Sequence, residues 1–176
     1  MYEYNPDRTI LLGSFSKTIA PGLRLGWMIA NPEIIHKATI MKQASDLHSG
    51  NLTQYILHRF LTSYPLDTHI KKIQDNYRTQ RDAMLTCLKQ YFPETIQYTH
   101  PQGGMFIWII LPKKITARQV LEQAMKNQII FVPGDAFYAC NPDAQTLRLN
   151  YSNVEEKEMR RAMNTLGGIL TDMCKE

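Results

Sequence analysis

The chain has 176 residues, a formal net charge of +4 and 44% apolar residues. That length carries one domain or part of a larger one, with enough apolar material for a core. The charges are scattered without a long basic run, so no nucleic-acid partner is expected, and no apolar run approaches the ~20 residues of a membrane span.

Cys87, Cys140 and Cys174 are widely spaced and form no CxxC or Cys/His ligand pattern, and the five histidines are isolated. Reduced thiols, a cytoplasmic location and no metal site are the expectation. The opening residues Tyr2, Glu3, Asn5, Pro6 and Asp7 do not resemble a signal peptide.

In chain order, residues 8–13 read as a short buried strand and residues 25–30 as a second. Asn31 and Pro32 then supply an N-cap and a first helical residue. The helix they open carries Ile34, Ile35, Ala38 and Met41 at helical spacing. A second helix is expected over 51–63. A third, over 66–92, aligns Leu66, Ile70, Ile73, Tyr77, Met84, Leu85 and Leu88. At 1.5 Å per residue it would span roughly 40 Å, a length suited to bridging two domains.

Past Pro93 the pattern turns to short strands, expected at 94–98, 105–111, 128–132 and 145–151. Phe106 and Trp108 alternate within the second of these. Thr116 and Gln119 have the spacing of a capping box that opens a helix to Asn127. Asn153 and Glu156 have the same spacing ahead of a last helix, whose face is Met159, Met163, Leu166, Leu170 and Met173. This second half reads as a small α+β sandwich with mostly antiparallel strands and its helices on one side.

The most chemically specific stretch is Gly13-Ser14-Phe15-Ser16-Lys17-Thr18, continued by Ala20-Pro21-Gly22-Leu23-Arg24-Leu25-Gly26-Trp27. A lysine amine can form a Schiff base, hydroxyls and a guanidinium can hold a phosphate, and glycines let backbone approach a ligand. Together they suggest a phosphorylated aldehyde held covalently. A lysine in a serine/glycine turn is by itself more often a solvated loop residue; the whole string is what carries weight.

This string resembles the lysine segment of pyridoxal 5'-phosphate (PLP) enzymes with the aspartate aminotransferase fold (fold type I), in particular the class I/II branch. That branch holds 2-aminoadipate/kynurenine-type aminotransferases and the aminotransferase-like domains of MocR-type regulators. Three later segments resemble the same family: Pro101-x-Gly103-Gly104-x-Phe106-x-Trp108, Val132-Pro133-Gly134-x-x-Phe137, and Leu147-Arg148-Leu149-Asn150-Tyr151-Ser152.

The resemblance implies that Lys17 is the Schiff-base lysine and that Ser14, Ser16 and Arg24 grip the cofactor phosphate. Arg148 would bind the substrate α-carboxylate, since a planar guanidinium can hold a carboxylate by two parallel hydrogen bonds. In the loop 46–51, His48 or Ser49 would either reach a partner's cofactor or belong to a polar inter-helix connection.

The implied fold is α/β plus α+β, the C-terminal part of a fold type I subunit. Residues 1–80 would belong to the large, cofactor-binding domain and residues 81–176 would form the small domain. The implied function is amino-group transfer from an amino acid to a 2-oxo acid in a homodimer. The family's pyridine-binding aspartate lies upstream of the lysine, so this segment by itself is expected to be inactive. The alternative is the PLP-sensing domain of a MocR-type regulator.

Overall fold

The computed structural model describes residues 5–175. The chain divides into two units, Met1–Ile73 and Gln74–Glu176.

In the first unit, β1 (Leu11–Ser14) pairs antiparallel with β2 (Gly26–Ile29), Leu11 facing Ile29 and Ser14 facing Gly26. The first strand, expected to be buried over 8–13, starts only at Leu11, after a 3-10 turn at Pro6–Arg8, and is largely exposed, Leu12 by 70%. Helix α1 (Pro32–Asp46) starts where Asn31 and Pro32 predict, and the Asn31 side chain accepts the Glu33 N–H at 2.9 Å. Helix α2 spans Asn51–Ser63.

These elements bury little: Leu25 and Leu57 are the buried apolar residues among those described in this unit. The apolar set expected to bury α1 is half-buried at Ile34, Ile35 and Ala38, and Met41 is 70% exposed.

Helix α3 (Leu66–Tyr91) runs into the second unit with 26 residues. The second unit holds a four-stranded sheet in the order β3-β4-β6-β5, antiparallel at every pairing. Its strands are β3 (Gln97–Tyr98), β4 (Phe106–Ile110), β5 (Val132–Pro133) and β6 (Thr146–Asn150). Period-two alternation sends Ile107, Ile109, Leu147 and Leu149 to one face. There they join a core with Met84, Cys87 and Leu88 of α3, Val120 and Ala124 of α4 (Ala117–Lys126), and Met159, Met163, Leu166 and Leu170 of α5 (Glu156–Lys175). Each buried Leu, Ile, Val or Met among them contributes about 1.5–3 kcal/mol.

The capping box forms as its spacing predicts. Thr116 Oγ1 accepts the Gln119 N–H, and Gln119 Oε1 accepts the Thr116 N–H at 2.9 Å.

Three expected boundaries differ. Residues 94–96 turn instead of pairing, the Ile96 N–H bonding the Pro93 carbonyl at 3.0 Å. Strand pairing expected from Gln128 begins only at Val132, because α4 ends in a Schellman motif. The N–H groups of Gln128 and Ile129 bond the carbonyls of Met125 and Ala124, and Gln128 takes a left-handed φ of 60°. Asn153 does not cap α5; the Met159 N–H bonds the Glu155 carbonyl at 2.9 Å, so the helix opens two residues later.

Candidate functional site

The first candidate site lies at the loop end of the β1–β2 hairpin, where residues 15–25 join the two strands. The Phe15 N–H donates to the Leu25 carbonyl at 3.1 Å, extending the strand register beyond the Ser14–Gly26 pair. The strands approach so closely that a Cβ on Gly26 would lie 2.8 Å from the Gly13 carbonyl oxygen.

Residues 16–19 then turn back, the Ile19 and Ala20 N–H groups both bonding the Phe15 carbonyl. Lys17 sits exposed on that turn. Arg24 follows the 3-10 turn Pro21–Leu23 with φ 53° and ψ 36°, a left-handed conformation for a residue with a Cβ. That conformation costs about 1–2 kcal/mol, and strain of this kind concentrates at functional positions.

The donor set fits a phosphorylated carbonyl compound. Ser14 Oγ accepts the Ser16 N–H at 3.2 Å, which leaves its own hydrogen available to donate. Two hydroxyls and a guanidinium suit phosphate oxygens, and the exposed amine beside them suits an aldehyde. Among the described residues, the side chains of Lys17, Arg24 and Arg148 make no hydrogen bond or ion pair within the protein.

The second candidate site is in the other unit, on the face of the sheet turned away from the core. Arg148 of β6 stands directly across from Trp108 of β4. Its Cζ lies 3.9 Å from the centroid of the Phe106 ring and 4.4 Å from that of Phe137. Phe137 ends the 3-10 turn Gly134–Phe137 and meets Trp108 edge to face at 5.7 Å. The turn is seated tightly: a Cβ on Gly134 would lie 2.7 Å from Thr146 Cβ and 2.8 Å from Trp108 Cη2.

Nearby, the buried Tyr151 donates its hydroxyl to the Gly104 carbonyl at 2.8 Å, and its N–H bonds the Met105 carbonyl at 3.1 Å. Gly104 has φ 83°, open to glycine and strained for other residues. Burial pushes the Tyr151 hydroxyl above its ordinary pKa, outweighing the Arg81 charge that lowers it.

Sequence-predicted Ser14, Ser16, Lys17 and Arg24 thus gather in the first unit, and Arg148 stands in the second. The expectation missed the aromatic surround of Arg148. The alternation of Phe106 with Trp108 placed those rings on one face, but only the β4–β6 register shows which cation they meet. It also missed the geometry at Leu47. With φ 66° and ψ −61°, Leu47 centres a tight γ-turn in which the His48 N–H bonds the Asp46 carbonyl at 2.8 Å. His48 itself turns inward on its own loop, Nδ1 lying 2.9 Å from the Ser49 carbonyl oxygen.

Residues 2–166 match the family model for aminotransferase class I and II. The aromatic-amino-acid aminotransferase 1 of Thermococcus litoralis is 39% identical over 169 residues, which are 96% of this chain and 40% of that protein. The crystal structure of LysN, the α-aminoadipate aminotransferase of Thermus thermophilus, complexed with N-(5'-phosphopyridoxyl)-L-leucine, superposes with a TM-score of 0.94. It is 34% identical, over 98% of this chain and 44% of that one. More distantly, the HTH-type transcriptional regulator NorG of Staphylococcus aureus is 27% identical over 89% of this chain and 35% of its own length. The chain therefore spans less than half the length of these relatives. With a family match across nearly all its residues, the chain belongs to the class I and II aminotransferases.

Proposed function

We propose that the protein transfers amino groups between amino acids and 2-oxo acids, using pyridoxal 5'-phosphate. The observation that carries this reading is the placement of an exposed Lys17 amine with Ser14, Ser16 and Arg24 at the loop end of one hairpin, in a chain of this family. The bound cofactor supplies an electron sink for a developing Cα carbanion.

The residues of this chain bind, orient and move a proton. Ser14 and Ser16 donate hydroxyl hydrogens to phosphate oxygens, and Arg24 adds a charge-assisted contact. Lys17 Nζ would hold the cofactor's aldehyde, and its amine, when freed by an incoming amino acid, would take the proton from the substrate Cα and deliver it to the cofactor. Arg148 takes the substrate carboxylate by its planar fork, which fixes the orientation of the amino acid.

A homodimer fits this reading, because α1 and α2 expose Met41, Leu52, Tyr55 and Ile56. The unpaired thiols of Cys87, Cys140 and Cys174 suit a reducing, cytoplasmic setting. The 176 residues by themselves are expected to form no glutamate from 2-oxoglutarate and an amino acid beyond the rate of free PLP. The match to NorG keeps a PLP-sensing regulator as the second reading, and a helix-turn-helix elsewhere in the whole protein would favour it.

The direct test is incubation with PLP, borohydride reduction and peptide mapping. The label is expected on Lys17 and lost in Lys17→Ala. It is expected to need roughly tenfold more PLP in Arg24→Ala, and no more in Arg148→Ala. A stable adduct mapped to Lys42 or Lys113 instead would falsify the lysine assignment.

A further inference from the structure

Arg148 is a half-buried cation whose contacts in the described structure are π faces in place of carboxylates. Its Cζ stands over the Phe106 ring at 3.9 Å and over the Phe137 ring at 4.4 Å. A guanidinium carries its five N–H donors in its own plane. Contacts over aromatic rings use its faces and leave that in-plane fork unspent. We propose that Phe106 and Phe137 are positioning residues that hold the Arg148 guanidinium in one plane, presenting its donor edge to a ligand carboxylate. This rests on the carboxylate-binding role assigned to Arg148 above and adds how that role is achieved.

The fold fixes both rings independently of any ligand. Phe106 lies on β4 opposite Asn150, one diagonal step from Arg148 on the same sheet face. Phe137 is placed by one ring contact and by the seating of its turn. Its ring abuts Trp108 at 5.7 Å, Gly134 of its own turn is buried against Thr146 and Trp108, and Asp135 of that turn accepts the Arg118 Nε–H at 2.8 Å. A long, flexible arginine otherwise loses much rotamer freedom when it binds. Here that freedom is restricted before the carboxylate arrives, and the gain appears as affinity.

The test is nuclear magnetic resonance on the 15N-labelled 176-residue chain, with 2-oxoglutarate as the carboxylate probe. The Arg148 Nε–Hε cross-peak is identified by its loss in Arg148→Lys. In the wild type it is expected upfield of the exposed arginines, because ring currents act on a proton held over aromatic faces. Phe137 is 48% exposed, so Phe137→Leu should fold. That variant should return the peak toward the exposed arginines and weaken 2-oxoglutarate binding about three- to tenfold. Phe137→Tyr keeps a ring in place and should restore both properties. Phe106→Leu should repeat the effects of Phe137→Leu.

A wild-type peak among the exposed arginines overturns the proposal. So does wild-type affinity in Phe137→Leu while the Arg148 peak still responds to 2-oxoglutarate. A wild-type peak that 2-oxoglutarate leaves unmoved overturns it too, together with the role of Arg148 in the proposed function. The Lys17 adduct tests the remainder of that function separately.

Discussion

Two adjacent glycines in α5 should respond in opposite directions to the same substitution. Gly167 and Gly168 both lie in the helix interior, where alanine is favoured over glycine by about 1 kcal/mol. At Gly168 a Cβ meets nothing within 4 Å. Gly168→Ala should therefore stabilise by about 0.5–1 kcal/mol, mainly by restricting the unfolded chain. At Gly167 a Cβ would overlap the carbonyl oxygen of Tyr91, and would lie 2.9 Å from the Tyr91 carbonyl carbon and 3.0 Å from its Cβ. Those atoms end helix α3 and are mostly backbone, so they cannot swing aside.

Relief requires α5 to back away from α3, loosening Met163, Leu166 and Leu170 in the core they share with Leu88. Overpacking of this kind costs about 1–3 kcal/mol. After the helix-propensity gain, Gly167→Ala should be destabilised by up to about 2 kcal/mol. For a unit of this size each kcal/mol moves the midpoint by roughly 4–8 °C. Far-UV circular dichroism melts should place Gly168→Ala a few degrees above the wild type and Gly167→Ala clearly below it. A Gly167→Ala midpoint at or above the wild type would show that the helices can part without loss, and would refute the close-packing argument.

Gln128→Gly should stabilise by about 1 kcal/mol in urea denaturation, because it relieves the left-handed φ of 60° at the end of α4. Tyr151→Phe should cost about 1 kcal/mol and speed amide exchange at Gly104 and Met105, since it removes the hydroxyl that holds the Gly104 carbonyl; unchanged exchange there would mean the turn is held by other contacts. Stability should also fall at alkaline pH. Burial raises both Cys87 and Tyr151 above their ordinary values, so the folded state keeps protons that the unfolded state has released. Their contribution is complete below the unfolded thiol pKa of about 8.5 and declines as pH rises through that value and then through about 10. Urea midpoints from pH 7 to 11 should show that decline, and Cys87→Ala should delay its onset; a flat profile would show that neither group resists ionisation in the fold.

What the sequence determined by itself was local. Asn31 ahead of Pro32, and Thr116 three residues ahead of Gln119, mark helix starts because the capping atoms and the groups they satisfy are neighbours along the chain. The helix expected over 51–63 forms over Asn51–Ser63, without a capping side chain. The spacing of Ser14, Ser16, Lys17 and Arg24 named a chemistry, and the family resemblance rested on motifs short enough to read directly.

The tertiary structure decided what depends on distant partners. The start of β5 pairing with β6 is set after the Schellman turn at Gln128. Cys87 is completely buried although its place on α3 did not mark it, because burial depends on the sheet and α5 that cover it. The surroundings of Arg148 come from a strand register and a turn that join residues 106, 137 and 148. Pairings across such separations follow from the packing of whole elements, and no local pattern in the chain encodes them.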